Sequence, residues 1–502
     1  MADSEDAKGW PRLGDMPEDE FRAALHRVAD WVADYRAGIE KISISPEAAT
    51  PGEIISRLPA APPEESAPLD EILRDFEELI VPGLVHWGHP AFLGYFGSTT
   101  NAPGILGEIL SAALNVSAMT WRTSPAATEL ETLVLDWLRQ MLRLPLDFTG
   151  IVYDTASVAV VHALAAAREG LGLDARAQGL AGRAEVPPLR IYASDQAHSS
   201  IEKAAIMLGI GERNVRRVAS DAAYRMDVSA LEAAIEEDRR ASVLPLAVVA
   251  TVGTTSTTSV DPVPEIAALC RERALWLHVD AAYGGATALL PEARHLMEGA
   301  SAADSIVVNP HKWLFVPLDF SALYVRRPEL LRATFSLVPE YLRGDAEQAE
   351  RNYMDYGVQL GRRFRALKAW MVFRNFGRRG MEARIREHIR LARLFASWLD
   401  ADEGFEVLAP VTMGVVCFRA VPRVKSDGDD AQAGEEASNE FNRKLVAAVN
   451  ATGEVYLTHT TLRGRVGVRL AVGNVLTTER HLALVYELIR REAHIDEGGR
   501  AS

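Results

Sequence analysis

The segment SIVVNPHKWLF (305–315) carries the strongest signal for both the fold and the chemistry of this chain. Its first four residues form a short, mostly apolar run, which is typical of a strand buried on both faces of a sheet. Asn309, His311 and Lys312 follow at once, and in α/β sheets ligands bind at the carboxyl ends of strands. A lysine among apolar neighbours suits a Schiff base with a carbonyl cofactor. The alternative from this segment alone is a surface lysine that follows a strand.

Four further short apolar segments alternate with helical stretches. They are RIYAS (190–194), SVLPLAVVAT (242–251), LWLHVDAA (275–282) and ALYVRR (322–327). Continuous apolar strands are buried on both faces, so they predict a mostly parallel central sheet with helices on both faces. The sequence therefore predicts an α/β fold with a large domain over residues 101–370.

The first hundred residues lack the pattern of a compact core. Apolar residues at helical spacing predict an amphipathic helix from Pro17 to about Lys41, and a proline-rich connector (47–70) leads to a second helix that ends at Pro82. Such helices bury their apolar stripes only against another surface, either the body of the chain or a second copy. We favour a second copy, and expect residues 1–100 to be a dimerisation segment of a homodimer.

The last third of the chain predicts a smaller α+β domain over residues 371–502. An arginine-rich helical stretch (361–377) precedes it, and the strands VVCFRA (415–420) and VRLAVG (468–473) lie between helices. The acidic stretch 425–440 has the composition of a solvated loop.

Composition excludes several classes of protein. The chain has 502 residues, a formal net charge of −15 and a hydrophobic fraction of 48%, which is typical of a globular protein with more than one domain. No basic block is present, so we expect neither a nucleic-acid nor a membrane partner. The two cysteines, Cys270 and Cys417, provide no disulfide framework and no metal cluster. The acidic first residues do not resemble a secretory signal, so the sequence predicts a cytoplasmic enzyme. With only two cysteines, we also expect no bound metal.

Asp280 ends the apolar strand of LWLHVDAA, and the small residues after it permit a flat ligand to approach. A carboxylate at the end of a buried strand is costly unless a cation pairs with it. The protonated pyridine nitrogen of a pyridoxal cofactor is such a cation. A helix N-cap is the alternative for Asp280 taken alone.

Three more strand or loop ends offer groups for the same kind of ligand. His198 lies in the loop after RIYAS, where its imidazole can stack on a ring or only make a loop hydrogen bond. Thr155, Ala156 and Ser157 open a predicted helix and form an anion site or a plain cap. Thr255 follows a further strand. Because several such ends supply complementary groups, the sequence favours one cofactor site over separate structural roles.

These segments resemble the group II pyridoxal-phosphate decarboxylases, and within them the aromatic L-amino-acid decarboxylases. The resemblance runs from about Asp15 to Ile489, and its motifs keep the same order along the chain. They are LVHWGHPAFLGYF, TSPAATELE, SDQAHSSIEKA, VGTTST, HVDAAYGG, NPHKW and LGRRFRALKAW. The resemblance implies pyridoxal 5′-phosphate as cofactor, fold type I, and a homodimer with its active site at the interface.

The resemblance also implies residue roles. Lys312 resembles the lysine that binds the cofactor, Asp280 the partner of the ring nitrogen, and His198 the residue stacked on the ring. The remaining cofactor-binding positions hold the phosphate or line the ring; they are Ala156, Ser157, Thr255, Ala282, Asn309 and His311.

Tyr341 resembles the tyrosine of a mobile loop that protonates the substrate carbon after carbon dioxide leaves. The implied substrate contacts are Trp87, Tyr95, Phe96, Ser117, Met119 and Gly361. They supply no cation for an acidic substrate, so we expect an aromatic L-amino acid and an amine product. The room at Gly361 goes with indole substrates in plant relatives.

Three departures and two rivals accompany this interpretation. Asp154 stands where animal members carry glycine, Gly97 replaces a proline, and Ser117 and Met119 stand where animal members carry bulkier apolar contacts from the partner subunit. The nearer rival is an aldehyde synthase, which in the resembling families goes with Phe at position 341 or Asn at position 198. The other is a non-catalytic cofactor-binding scaffold, which requires the loss of a reacting group. Neither change is present in this chain.

Overall fold

The computed structural model describes residues 15–46, 50–97, 100–337, 351–422 and 431–493. The chain divides into two compact units, Met1–His89 and Pro90–Ser502. The domain boundaries that the sequence suggests at residues 100 and 370 remain predictions.

The first unit is built from helices. Its helices are α1 (Glu18–Gly38), α2 (Glu53–Ser56) and α3 (Leu69–Asp75), and α3 continues through a π-helical stretch (Phe76–Ile80) and a 3₁₀ turn (Val81–Gly83). Trp31 stacks on Tyr35 at 5.2 Å and meets the edge of Phe76 at 5.0 Å. Ala24 is nevertheless the one buried residue of α1. Most of the apolar stripe that the sequence predicts on this helix therefore has no core within the unit.

Seven strands form the larger sheet of the second unit: β1 (Thr149–Tyr153), β2 (Leu189–Ser194), β3 (Val215–Val218), β4 (Leu244–Thr251), β5 (Trp276–Asp280), β6 (Ser305–Val308) and β7 (Ser321–Val325). Their order is β1-β7-β6-β5-β4-β2-β3. The pairs β3–β2, β2–β4, β4–β5 and β5–β6 are parallel. Strand β7 runs antiparallel to both of its neighbours, β1 and β6. The predicted mostly parallel sheet is confirmed. The sequence analysis did not predict β1 and β3. Both strands are short, and two of the four residues of β3 are arginines.

The register of the sheet brings the ends of neighbouring strands together. Asp280, the last residue of β5, lies opposite Thr251 of β4 and Val307 of β6. Every residue of β5 and β6 is buried, as their continuous apolar sequences predict. The residues that follow β4, β5 and β6 therefore emerge at one edge of the sheet.

Twelve helices of the second unit lie among the described residues: α4 (Ala102–Leu114), α5 (Pro125–Met141), α6 (Ala156–Glu169), α7 (Ala175–Gln178), α8 (Ser200–Met207), α9 (Val228–Arg240), α10 (Val263–Glu272), α11 (Pro310–Trp313), α12 (Pro328–Phe335), α13 (Arg365–Asp400), α14 (Ala431–Ala451) and α15 (Glu479–Glu492). Gly377 breaks α13 with a φ of 62°, a left-handed conformation that favours glycine. In the described ranges, no helix is long and apolar enough to cross a membrane.

Four antiparallel strands form a second, smaller sheet: β8 (Phe405–Val407), β9 (Val415–Ala420), β10 (Thr458–Leu462) and β11 (Arg465–Ala471), in the order β10-β11-β9-β8. The helix α14 packs on β11. The prediction of a loop over 425–440 is wrong from Ala431 onward, because these residues begin α14. Alanine and glutamate favour a helix, and the acidity of the segment concealed that preference. Residues 423–430 lie outside the described residues.

Candidate active site

A cavity of about 190 Å³ lies where the carboxyl ends of β4, β5 and β6 meet the start of α6. Its walls come from segments far apart in the sequence. The lining residues are Phe96, Thr155, Ala156, Ser157, His198, Thr251, Gly253, Thr255, Asp280, Ala282, Tyr283, Asn309, His311 and Lys312. All nine positions that the sequence predicts as cofactor contacts line this one cavity. Thr251, Gly253 and Tyr283 are additions that only the fold reveals.

Lys312 lies in α11, the single helical turn that follows β6. Its backbone N–H donates to the Asn309 carbonyl at 2.9 Å, which ties the turn to the end of the strand. Burial lowers the pKa of the Lys312 amine; Asp280 opposes this change and Arg469 adds to it. A lowered pKa increases the neutral fraction of the amine, which is the nucleophilic form.

Asp280 is buried at the end of β5, with 6% of its surface exposed. One carboxylate oxygen accepts the backbone N–H of Ala282 at 3.0 Å. Asp280 thus makes the local turn contact expected of a capping residue and also lines the cavity. A cationic ring nitrogen in the cavity would give this buried charge the partner that it requires.

His198 lies before α8 at the exposed rim of the cavity. Its Nδ1 accepts the backbone N–H of Ser200 at 3.1 Å, so the proton of the neutral ring lies on Nε2. Burial lowers the pKa of His198, Lys312 adds to that change, and Asp280 opposes it. The ring is therefore mostly neutral near pH 7, and its local hydrogen bond fixes its tautomer.

The N-terminus of α6 faces the cavity with Ala156 and Ser157. Thr155 precedes this 14-residue helix with an extended backbone and makes no side-chain cap to it. The first N–H groups of a helix have no intrahelical acceptor and favour a negative charge. This end of the cavity therefore suits a phosphate group.

Asp154, which departs from the glycine of animal relatives, has its charge compensated. Its carboxylate lies 2.6 Å from the Arg365 guanidinium and accepts the amide N–H of Gln359 at 2.9 Å. Arg365 also pairs with Asp319 at 2.6 Å. The acidic residue thus lies beside the anion site without an unpaired charge.

Asn309 and His311 form a buried polar group beneath Lys312. The Asn309 carboxamide oxygen accepts the hydroxyl of Ser321 at 2.7 Å, and His311 Nδ1 accepts the backbone N–H of Phe320 at 3.0 Å. Burial lowers the pKa of His311 to about 3, with a further contribution from Lys312. His311 is therefore neutral at neutral pH and adds no positive charge beside Lys312.

An aromatic wall and a buried cation adjoin the cavity. Phe96 stacks on Tyr283 with 3.9 Å between ring centroids, and the Lys312 Nζ atom lies 5.1 Å from the Phe96 centroid. The Arg469 guanidinium lies 4.6 Å from the same ring and donates to the carbonyls of Gly94 and Thr255. Sequence reasoning missed Arg469, because nothing in the β11 pattern relates it to Phe96.

The remaining predicted residues do not line this cavity. Tyr341 lies outside the described residues. Trp87 belongs to the first unit, where it is exposed. Four more do not belong to the lining set: Tyr95, Ser117, Met119 and Gly361. Their predicted contacts with substrate remain predictions.

Together these groups fit pyridoxal phosphate. The cavity offers an amine for an aldehyde, a buried carboxylate for a ring nitrogen, an imidazole beside the ring space, and a helix N-terminus for a phosphate. The small side chain of Ala282 leaves room for a flat ring.

Comparison with known proteins agrees with this chemistry. The family pattern described as the pyridoxal-dependent decarboxylase conserved domain matches residues 51–421. This chain therefore belongs to the pyridoxal-dependent decarboxylase family, and its cofactor is pyridoxal 5′-phosphate. The chain is 39% identical to tryptophan decarboxylase 2 of Oryza sativa subsp. japonica, over 96% of each chain.

Two further relatives are informative. The structure of Oryza sativa TDC with PLP and tryptamine matches with a TM-score of 0.91 and 37% identity, covering 96% of this chain and 99% of that one. Phenylacetaldehyde synthase of a Rosa hybrid cultivar is 37% identical, over 95% of this chain and 94% of its own. The predicted fold type I architecture is thus confirmed.

Proposed function

We propose that this enzyme decarboxylates an aromatic L-amino acid to the corresponding amine and carbon dioxide. The observation that carries the proposal is the convergence of Lys312, Asp280 and His198 with the start of α6 on one cavity. Bound pyridoxal phosphate supplies the electron sink for the bond that breaks at the substrate Cα. The protein supplies orientation and charge.

Each polar group of the cavity has a role in this reaction. Lys312 would hold the cofactor aldehyde through its Nζ atom. Asp280 holds a proton on the pyridine nitrogen through its carboxylate. The N–H groups at the start of α6 bind the phosphate. His198, which lines the cavity, would cover the ring and orient the substrate carboxylate.

The substrate class follows from the walls and from the relatives. Phe96 and Tyr283 give the cavity an aromatic side, and the similar proteins include tryptophan and tyrosine decarboxylases. Arg469 is a cation near this wall but is not among the residues that line the cavity. Its Nε and Nη1 atoms donate to two backbone carbonyls and its guanidinium lies on the Phe96 ring, while Nη2 has no acceptor among the described residues. We therefore infer an aromatic rather than an acidic side chain.

An aldehyde-forming reaction is the second candidate, because phenylacetaldehyde synthase is among the similar proteins. The resemblance links the amine product to tyrosine at position 341 and histidine at position 198, and this chain carries both. We infer that Tyr341 donates its phenolic proton to Cα and thereby directs the reaction to the amine.

We further infer a homodimer. In α1, Phe21, Leu25 and Val28 are 57%, 45% and 39% exposed. In α4 of the second unit, Leu106 and Leu110 recur at helical spacing and are 52% and 49% exposed. Apolar stripes of this kind mark surfaces that associate. Replacing Leu106 and Leu110 together by glutamate should give a monomer in analytical ultracentrifugation, whereas glutamate at the isolated, exposed Leu146 should leave the dimer intact.

A substrate panel tests the reaction. Purified holoenzyme is incubated with tryptophan, tyrosine, phenylalanine, dihydroxyphenylalanine and glutamate, and amine, aldehyde and carbon dioxide are quantified. We expect equal amounts of amine and carbon dioxide from at least one aromatic substrate and none from glutamate. Turnover of glutamate alone would contradict the aromatic assignment, and aldehyde with peroxide as the main products would favour the second candidate.

A further inference from the structure

His388 lies in the middle of α13 and is fully engaged in a buried hydrogen-bond chain. Its Nδ1 accepts the indole N–H of Trp313 at 3.0 Å, and its Nε2 lies 3.1 Å from the carbonyl oxygen of Asn474. An indole N–H can only donate and a carbonyl can only accept, so the ring must be the neutral tautomer with its proton on Nε2. One orientation of the imidazole satisfies both partners.

Trp313 directly follows Lys312 and is 1% exposed. Its ring stacks on Tyr283 with 4.5 Å between centroids and only 6° between planes. Tyr283 in turn stacks on Phe96, above which the Lys312 Nζ atom lies. The three stacked rings thus connect Trp313, which follows Lys312 in the chain, through Tyr283 to Phe96, which lies beside the Lys312 amine.

The ring stack also includes a residue from the segment that carries Asp280. Tyr283 lies three positions after Asp280, in the turn that follows β5, whereas Trp313 lies in the turn that follows β6. Fixing the Trp313 ring therefore fixes the turns that carry Lys312 and Asp280 relative to each other. His388 anchors that ring from α13, a helix that contributes no lining residue to the cavity.

We propose that His388 is a positioning residue for Lys312, because its bond to the Trp313 indole fixes the ring stack beside the reactive amine. This inference rests on the proposed role of Lys312. Burial lowers the pKa of His388 to about 4, so its Nδ1 atom, which accepts the Trp313 N–H, stays unprotonated at neutral pH. Small displacements of a reacting group cost large factors in rate.

Three substitutions at His388 separate positioning from bulk stability. His388→Asn places an amide oxygen where Nδ1 stands and keeps the acceptor for Trp313. His388→Gln reaches the Asn474 carbonyl but offers no acceptor at the Nδ1 position. His388→Phe keeps the ring shape and removes both bonds. Trp313→Phe removes the donor from the other side while retaining an aromatic ring for the stack.

The readouts are kcat, KM, the position and pH midpoint of the visible cofactor band, and the rate at which apoprotein regains that band with pyridoxal phosphate. We expect His388→Phe, His388→Gln and Trp313→Phe to lower kcat by about 10-fold or more with KM within about threefold, to shift the band midpoint and to slow reconstitution. His388→Asn should return all four readouts to within about threefold of wild type. The double variant His388→Phe/Trp313→Phe should lose no more than either single variant.

Trp276→Phe is the matched control, because it removes another buried indole whose N–H donates to Ser305 at 2.9 Å, at the start of β5. It should lower the melting temperature without moving the cofactor band. If His388→Asn fails as severely as His388→Phe, or if no His388 variant moves the band or kcat, the positioning role is overturned. If borohydride fixes the cofactor of the wild-type enzyme on a lysine other than Lys312, both this inference and the proposed function fail.

Discussion

The Arg362 guanidinium donates to both carboxylate oxygens of Glu131, at 3.1 and 2.6 Å. The same guanidinium also donates to the carbonyls of Ala118 and Val152, each at 3.0 Å. Both charged side chains are almost fully buried. This pair connects α5, the end of β1 and the 117–119 segment, in which two predicted substrate contacts lie.

Breaking this pair should destabilise the protein strongly. Glu131→Ala leaves a buried guanidinium without its counter-charge, and we expect a loss of about 3–5 kcal/mol in the free energy of unfolding. Chemical denaturation followed by circular dichroism measures it. Glu292→Ala removes the partner of Arg386 in a half-exposed pair and should cost less than about 1 kcal/mol. Equal effects of the two variants would contradict the structural role of the buried pair.

Lys312 should be the site of cofactor attachment. Borohydride reduction of the yellow holoenzyme should abolish the visible absorbance, and peptide mapping should find the pyridoxyl group on Lys312. Lys312→Ala should lose both the adduct and the activity, whereas Lys203→Ala, which removes an amine from α8, should retain them. A pyridoxyl group on any other lysine would sink the assignment.

Asp280→Ala should retain the fold and lose most activity. Without the carboxylate the pyridine nitrogen loses its proton, so the cofactor becomes a weaker electron sink. We expect kcat to fall by about 100-fold or more and cofactor affinity to fall with it. Asp280→Glu should recover part of both. Near-normal turnover in Asp280→Ala would show that this carboxylate does not serve the ring nitrogen.

Acid should destabilise the protein through its buried histidines. Burial lowers the pKa of His162, His278 and His388 to about 4 and that of His311 to about 3, against an ordinary value of 6.5. Between pH 6.5 and about 4 the unfolded chain therefore binds more protons than the folded protein, so stability falls as pH falls. Each histidine contributes up to about 1.4 kcal/mol per pH unit.

Two carboxyls with raised pKa values, Asp261 and Asp304, act in the opposite direction. Burial raises the pKa of Asp261 to about 6, so its protonation favours the folded state as pH falls from about 6 to 4 and offsets about one histidine. Urea denaturation at pH 7, 6 and 5 measures the slope. His162→Gln should flatten it by about a third, and a stability that is constant from pH 7 to 5 would contradict the four lowered pKa values.

Tyr341→Phe should redirect the product from amine toward aldehyde. Without the phenolic proton donor, the substrate carbon would stay unprotonated long enough to pass two electrons to dioxygen, which becomes peroxide, and hydrolysis by water would then release the aldehyde and ammonia. Amine and aldehyde are quantified under air and under nitrogen, with Tyr192→Phe as the control at a buried tyrosine of β2. Unchanged amine yield without peroxide would exclude Tyr341 as the donor.

The sequence by itself determined the central strands and the polar residues at their ends. Continuous apolar runs predict buried parallel strands, and the carboxyl ends of such strands meet at one edge, so Lys312, Asp280 and Thr255 could be assigned to one site before the fold was known. These features are local, because each depends on a few consecutive residues. The loop predicted over the start of α14 is wrong for a local reason, because the acidity of the segment conceals its helix preference.

Only the tertiary structure decided which distant side chains support the site. Arg469 and Phe96 approach each other across two structural elements, Arg362 reaches Glu131 from 231 residues away, and His388 meets Trp313 from a different helix. No periodicity relates such residues, because their contacts follow from how packed elements cross and not from spacing along the chain. The chemistry of the site could therefore be predicted from sequence, while the groups that orient it could not.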